Sequence, residues 1–386
     1  MKTLNRKENM QQLENIKVIL SGGGTGGHIF PAIAIANAIK AKVPTAEILF
    51  VGAKGRMEME KVPAAGYPIE GLWISGLQRK FTVENLSFPF KVISSLIKAQ
   101  LLISDFKPDV AIGTGGYASG PTLRAAAAMG IPTLIQEQNS FPGITNKILA
   151  KKVDCICVAY SLMDRYFPEE KIRLTGNPIR QDINYEGTDR KAALSSFSLS
   201  ADKLTVLVVG GSLGARTINN SINEGLAMLA ENNIQLIWQT GKNFADTAAE
   251  AIKKYSKSGF VTSPFITRMD QAYAAADIVI SRAGAIAISE LCVVAKPCIL
   301  VPSPNVTEDH QTKNAEALSG RNAAILITDM DAMEDLVPAV VELSKNEHKQ
   351  EQLRENIRKM AFPDAANTIA DEALKLISKK RLRKKH

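Results

Sequence analysis

The stretch "VILSGGGTGGHIFPAIAIANAIK" (residues 18–40) decides the fold. An apolar run ends in five glycines within six positions, and His28 then opens a run with helical spacing. Strand, glycine turn and helix in that order make a junction whose backbone N–H groups, unobstructed by Cβ atoms, can approach a phosphate closely. Gly22, Gly24 and Gly27 formally satisfy G-x-G-x-x-G. The loop is not of the Walker type, because no Lys-Ser or Lys-Thr follows it. A nicotinamide site would need an acid at the end of the second strand to hold the ribose hydroxyls. That strand ends "FVGAKGR" (50–56), without one.

The same rhythm runs outward along the chain. "IKVILS", "AEILFVG", "PDVAIGTGG", "PTLIQEQ" and "DCICVA" are short apolar runs, separated by helical patterns at 29–42, 56–66, 120–129 and 143–151. Such alternation predicts βαβ units and a parallel sheet covered on both faces. It restarts after residue 189 with "LTVLVVGGS", "IQLIWQTG", "GFVTSPF", "ADIVISRAG" and "PCILVPSP". The polar stretch from Gly176 to Asp189, with Pro178 and Gly187, is the expected hinge between two doubly wound Rossmann-like halves. The expected domains are 1–176, joined by a last helix over 363–386, and 177–362. Ligands of such sheets bind at the carboxyl ends of strands, so a cleft between the halves is the expected active site.

Composition narrows the class. At 386 residues and 45% hydrophobic content, two soluble globular domains are expected. Six of the 47 basic residues fall in the tail "KKRLRKKH" (379–386), against 39 acidic residues in the chain, so the body is nearly neutral. No basic stripe interleaves with aromatics, which argues against nucleic acid as a partner. Cys155, Cys157, Cys292 and Cys298 have neither zinc spacing nor a disulfide pattern and fit a reducing cytoplasm. The polar N-terminus is unlike a signal peptide, and no apolar run reaches membrane-spanning length.

Three further loops stand at strand-to-helix junctions: "GTGGYASGP" (113–121), "GGSLGAR" (210–216) and "SRAGAIAISE" (281–290). A single glycine turn is weak evidence. Four of them, in two halves, suggest two phosphate-bearing ligands.

The motifs "GGGTGGHIFPAIAIA", "GRMEMEKVPAAGYPI", "ISGLQRK", "GTGGYASGPTLRAA", "QEQNSFPGITNKILAK", "TGNPIR", "GGSLGARTIN", "SRAGAIAISE" and "EDHQTKNA" run in this order from about residue 16 to residue 365. Together they resemble the MurG-type peptidoglycan N-acetylglucosaminyltransferases. The resemblance implies a GT-B fold, no metal and no cofactor. The implied reaction is inverting transfer of N-acetylglucosamine from UDP-N-acetylglucosamine to the C4 hydroxyl of the N-acetylmuramoyl unit of lipid I, giving lipid II. It also implies a peripheral place on the cytoplasmic face of the plasma (inner) membrane, beside other cell-wall synthesis and division proteins.

Carried over residue by residue, the donor site comprises Thr25, Gly26, Gly27, Asn139, Arg180, Ser212, Ile266, Ala285, Ile286, Ala287, Ile288, Ser289, Glu290 and Gln311. Ser212 and the N–H groups of 285–287 suit a pyrophosphate, Glu290 suits two ribose hydroxyls, and the Ile266 backbone suits the edge of uracil. Gln311 and Asn139 suit sugar hydroxyls, and Arg180 suits the donor's charge. Glu290 could instead cap its helix, and Arg180 could instead form a hinge ion pair. The acceptor pyrophosphate is expected against Gly23, Gly24, Gly115, Gly116 and Tyr117.

The base for the acceptor hydroxyl is either His28, an imidazole at the helix mouth, or Glu137 at the end of a strand. Many family members read His-Glu-Gln-Asn where this chain reads Gln136-Glu137-Gln138-Asn139, so a catalytic role at the first of these positions is not expected here.

Between residues 73 and 107, Trp73, Leu77, Phe81, Leu86, Phe88 and Phe90 stand among Arg79, Lys80, Lys91 and Lys98. Apolar side chains beside cations suit an anionic leaflet, and Phe81–Phe90 is the expected contact. Half of such a stripe belongs to the core of any soluble domain. Three other readings compete: a UDP-N-acetylglucosamine 2-epimerase on the same fold, a non-catalytic nucleotide-sugar-binding subunit, and a nicotinamide oxidoreductase. The loop 113–120 and "QEQNS" favour an acceptor site over the first, His28 with Glu137 disfavours the second, and the missing ribose carboxylate disfavours the third.

Overall fold

Side chains alternate across a strand, so the first strand sends Val18 and Leu20 to one face and Ile19 to the other. All three are fully buried, as a parallel sheet covered on both sides requires. The computed structural model describes residues 14–76, 87–179, 183, 188–211, 214–306 and 309–383. Its contacts divide the chain into two units, Met1–Ile179 with Asp364–His386, and Arg180–Pro363.

The first unit holds a parallel sheet of seven strands in the order β3-β2-β1-β4-β5-β6-β7. These are β1 (Lys17–Gly22), β2 (Glu47–Ala53), β3 (Ile69–Leu72), β4 (Val110–Gly115), β5 (Thr133–Glu137), β6 (Cys155–Val158) and β7 (Ile172–Leu174). Helices α1 (Gly26–Lys42), α2 (Glu58–Ala64), α3 (Phe88–Phe106), α4 (Ser119–Ala128) and α5 (Ile144–Leu149) connect them. Val18, Leu20 and Ile112 pack on one face with Ile35 and Ile39 of α1. Ile19, Ala111 and Ile135 pack on the other with Ala99 and Ile103 of α3 and Leu123 of α4.

The second unit repeats the plan with six parallel strands in the order β10-β9-β8-β11-β12-β13. They are β8 (Leu204–Val209), β9 (Ile234–Gln239), β10 (Phe260–Ser263), β11 (Ile278–Ser281), β12 (Cys298–Leu300) and β13 (Ile325–Leu326). Among its helices, α6 (Met269–Ala275), α7 (Ala285–Val294) and α8 (His310–Ser319) line the site described below. Its core gathers Val206, Leu236, Ile278 and Ile299 around fully buried Trp238.

The doubly wound α/β class follows the periodicity. Strands β3, β7 and β13 were not among the apolar runs, because outer strands of four, three and two residues carry no full run. The last helix, α9 (Ala365–Arg383), returns to the first unit. Its Ile369, Ala373 and Ile377 close the core over α1, and Lys42–Asp371 (2.8 Å) and Arg381–Asp109 (3.1 Å) pin it.

All four cysteines are buried and unpaired. Burial pushes the Cys292 thiol up to about 12 and Cys298 higher still, which keeps both protonated and unreactive at mildly alkaline pH. The native protein is expected to show no thiol reactive toward dithionitrobenzoate at pH 8, and all four after unfolding in guanidinium. A fast-reacting thiol in the native protein would contradict this packing.

Candidate active site

β1 and β4 are neighbours although β2 and β3 lie between them in sequence, so their carboxyl ends mark the switch point of the first sheet. Two glycine loops meet there at backbone contact. The Gly23 N–H donates to the Gly115 carbonyl at 3.3 Å. A Cβ on Gly116 would stand 2.3 Å from the Gly23 oxygen, and one on Gly22 would stand 1.9 Å from Thr114 Oγ1. Thr114 Oγ1 donates to the His28 carbonyl at 2.8 Å and so ties the start of α1 to β4.

His28, at the mouth of α1 as expected, is half-buried. Its Nδ1 lies 3.0 Å from the Gly23 oxygen and 3.4 Å from Thr25 Oγ1. A carbonyl oxygen only accepts, so this contact puts a proton on Nδ1, and in the neutral form of the ring the lone pair is then on Nε2. The ring lies against Gly115, where a Cβ would stand 3.0 Å from Nε2. Thr25, Gly26 and Gly27 form the turn into the helix, and the Tyr117 ring covers Gly76.

A residue that the sequence reading passed over organises this loop. Glu58, the first residue of α2, is 1% exposed. Its Oε2 accepts the Gly24 N–H at 2.9 Å, and its Oε1 accepts the Ala53 N–H at 3.0 Å. The strand end that lacks a ribose-binding acid thus receives one from five residues later, turned inward. The amides of Gly23 and Gly24 are engaged by Gly115 and Glu58, so in this structure these N–H groups shape the loop.

Glu137 sits at the end of β5, 2% exposed. Its Oε1 accepts from the Asn139 backbone (3.0 Å) and side chain (3.2 Å), and its Oε2 accepts from the Gly143 N–H (3.1 Å) and Asn146 Nδ2 (2.8 Å). Four donors on a buried carboxylate make a structural clamp over the start of α5 and leave little capacity to take a proton from a substrate, against the alternative of Glu137 as base. Gln136 is fully buried and donates to Asn177 Oδ1 at 2.8 Å, while Asn177 donates to the Gln138 carbonyl at 3.0 Å. The departure from the family's histidine is therefore met by an internal amide network.

The switch point of the second sheet lies between β8 and β11. The loop after β8 turns through Gly211 and Gly214, and a Cβ on Gly214 would stand 2.2 Å from the Thr240 oxygen. Gln239, 4% exposed at the end of β9, spans two loops: its Nε2 donates to the Gly211 carbonyl at 3.1 Å, and its Oε1 accepts the Ile266 N–H at 3.1 Å. A bridge over 28 and 27 residues leaves no local pattern in the chain.

Helix α7 is capped by Gly284 and has no acid in its first turn, so Ala285, Ile286 and Ala287 stand at the positive end of its dipole. Ile288 is buried in the core, and Ser289 returns its hydroxyl to the Ala285 carbonyl at 3.0 Å. A capping box would place its acid at residue 287, whereas Glu290 stands a turn deeper and meets the Tyr273 hydroxyl at 3.3 Å. The capping alternative for Glu290 is therefore set aside. Gln311 of α8 accepts the Ser303 N–H at 2.9 Å, so its NH2 is the part able to address a ligand. Arg180 and Ser212 lie outside the described residues.

Helix α3 buries a narrow stripe and leaves several large apolar side chains outside it. Ser95, Ala99 and Ile103 are buried, while Phe90, Ile93, Ile97 and Leu101 are each more than half exposed. The expected contact, Phe81–Phe90, overlaps this face only at its end, since residues 81–86 fall outside the described set with Leu77, Arg79 and Lys80. Trp73 is half exposed beneath the Lys91 ammonium, and Lys98 pairs with Glu70 at 2.9 Å. Among the described residues no helix is long and apolar enough to cross a membrane.

Comparison with known proteins places this geometry. Residues 18–158 match the glycosyltransferase family 28 N-terminal domain, and residues 205–369 match the glycosyltransferase family 28 C-terminal domain. A protein of Cytophaga hutchinsonii named UDP-N-acetylglucosamine--N-acetylmuramyl-(pentapeptide) pyrophosphoryl-undecaprenol N-acetylglucosamine transferase is 56% identical, over 96% of this chain and 99% of its own. A Phocaeicola vulgatus protein of the same name is also 56% identical, over 95% and 98%. The crystal structure of Acinetobacter baumannii MurG superposes with a TM-score of 0.78 at 27% identity, covering 93% of this chain and 99% of that one. Two family-28 domains, each on its own doubly wound sheet, and relatives more than half identical end to end lead to one conclusion: the chain belongs to the MurG family of GT-B glycosyltransferases.

Proposed function

We infer that the chain transfers N-acetylglucosamine from UDP-N-acetylglucosamine to the C4 hydroxyl of the N-acetylmuramoyl unit of lipid I. The observation that carries the chemistry is the orientation of His28. With Nδ1–H committed to the Gly23 oxygen, Nε2 is the nitrogen able to take the hydroxyl proton. As the proton leaves, the C4 oxygen bonds to C1 of the donor sugar, the bond from C1 to the UDP oxygen breaks on the opposite face, and the α donor gives a β-1,4 link. UDP departs with the electron pair.

The test incubates the protein with labelled UDP-N-acetylglucosamine and a lipid I analogue, with chelator present. β-1,4-linked product is expected, and His28→Ala is expected to lower turnover by about a hundredfold or more while leaving UDP affinity nearly unchanged. Tight UDP binding with no product would sink the transferase reading, and a fully active His28→Ala would sink the choice of base.

The donor fits the second unit. The N-terminus of α7 stabilises the pyrophosphate charge, and Glu290 accepts from the ribose hydroxyls. The Ile266 segment, held in place by Gln239, reads uracil, and Gln311 addresses the sugar. Asn139 and Arg180 complete the donor contacts. Calorimetry is expected to show that Glu290→Ala and Gln239→Ala each weaken UDP binding by about tenfold, one through a lost contact and the other through a slackened loop. Unchanged affinity in both would move the nucleotide elsewhere.

The acceptor is anchored in a bilayer, so the enzyme works at the cytoplasmic face of the plasma membrane, where α3 supplies the contact. Phe90, Ile93, Ile97 and Leu101 form an exposed apolar face that a monomeric soluble protein rarely keeps without use. Ile97→Glu with Leu101→Glu, both at exposed positions, is expected to abolish sedimentation with anionic phospholipid vesicles without lowering the melting temperature. Vesicle binding equal to the parent's would remove α3 from the interface.

A further inference from the structure

Glu58 is the buried carboxylate that the reaction above does not use. It threads a gap that two glycines leave open: a Cβ on Gly23 would stand 2.1 Å from its Oε1, and one on Gly52 would stand 2.6 Å from its Cγ. Both of its oxygens accept backbone N–H groups, one from the glycine loop after β1 and one from the end of β2. The segment so held carries the Gly23 carbonyl, and that carbonyl is the acceptor that fixes the proton of His28 on Nδ1. Gly24, whose N–H meets the carboxylate, has a φ of 84° and no neighbour within 4 Å of its Cβ position, so its conformation has few other restraints.

We propose that Glu58 is a positioning residue: by clamping Gly24 to the end of β2 it aims the Gly23 oxygen at His28 and so sets the imidazole tautomer that leaves Nε2 as proton acceptor. A carboxylate is required because both facing groups are donors. The amide of a glutamine would turn an NH2 against one of them, and the loop would have to move. An imidazole in water favours the opposite tautomer, with the proton on Nε2, so the local acceptor must hold Nδ1–H against that preference. The proposal rests on His28 being the base, and the test below separates the two.

The chain has four histidines, which makes the 15N spectrum of the histidine-labelled full-length protein assignable, with His28→Ala identifying the His28 signals. In the parent, His28 is expected to show a protonated Nδ1 and an unprotonated Nε2. In Glu58→Gln, folded by circular dichroism and melting, this pattern is expected to collapse toward that of a solvated imidazole. Turnover is expected to fall by about tenfold or more, with the KM for UDP-N-acetylglucosamine unchanged. Gly23→Ala, whose new methyl group displaces the carboxylate from the other side, is expected to do the same and provides the test should Glu58→Gln not fold. A His28 tautomer that persists in either folded variant overturns the proposal, whatever the activity. A tautomer that collapses without loss of turnover sustains the clamp and removes His28 as the base.

Discussion

Two lengths of backbone, 22–24 and 113–116, meet through a hydrogen bond with no room for a Cβ on Gly116, and the switch-point edge of the first unit is arranged around that contact. Side chains larger than hydrogen at Gly22, Gly23 or Gly116 would overlap Thr114, Glu58 or the Gly23 peptide well inside van der Waals contact. The contact brings the end of β4 beside the mouth of α1, so Thr114 can hold the His28 carbonyl while Gly115 yields space to its ring. Glycine here serves shape before ligand. A loop that reads as an anion cradle spends part of its donor capacity on its own architecture.

The second unit reaches the same topology by a different economy of polar groups. Where the first uses a carboxylate to gather two N–H groups, the second uses the amide of Gln239, which offers one donor and one acceptor and so joins a carbonyl to an N–H. Arg282, next to the switch point, is occupied by the carbonyls of Val301 and Pro302 and by Asp329. A cation so placed is part of the scaffold, and the N-terminus of α7 adds positive potential at that edge.

The fold was legible because its signals are local. A strand, a glycine turn and a helix are written in consecutive residues, and the sequence repeats that phrase in both halves. His28 was legible for the same reason, sitting within six residues of the loop that orients it. The supporting groups were not, because each acts across a tertiary contact: Glu58 reaches Gly24 over 34 residues, Gln239 reaches Gly211 over 28, and Gln136 reaches Asn177 over 41. Glu137 stood as one of two candidate bases because a strand-end carboxylate reads the same in sequence whether it faces substrate or, as here, four internal donors. The Gln136 position, where a resemblance alone would place a histidine, is explained by burial.

The return of α9 to the first unit has a consequence for how the molecule is made. Residues 180–363 form a self-contained body, whereas the core over α1 is completed by Ile369, Ala373 and Ile377, which follow that body in the chain. Vectorial synthesis therefore delivers residues 180–363 whole before the first unit can seal. A chain cut ahead of residue 365 would keep the body of 180–363 and leave an open apolar flank at Ile35 and Ile39, the kind of exposed surface that makes a folded unit prone to aggregate.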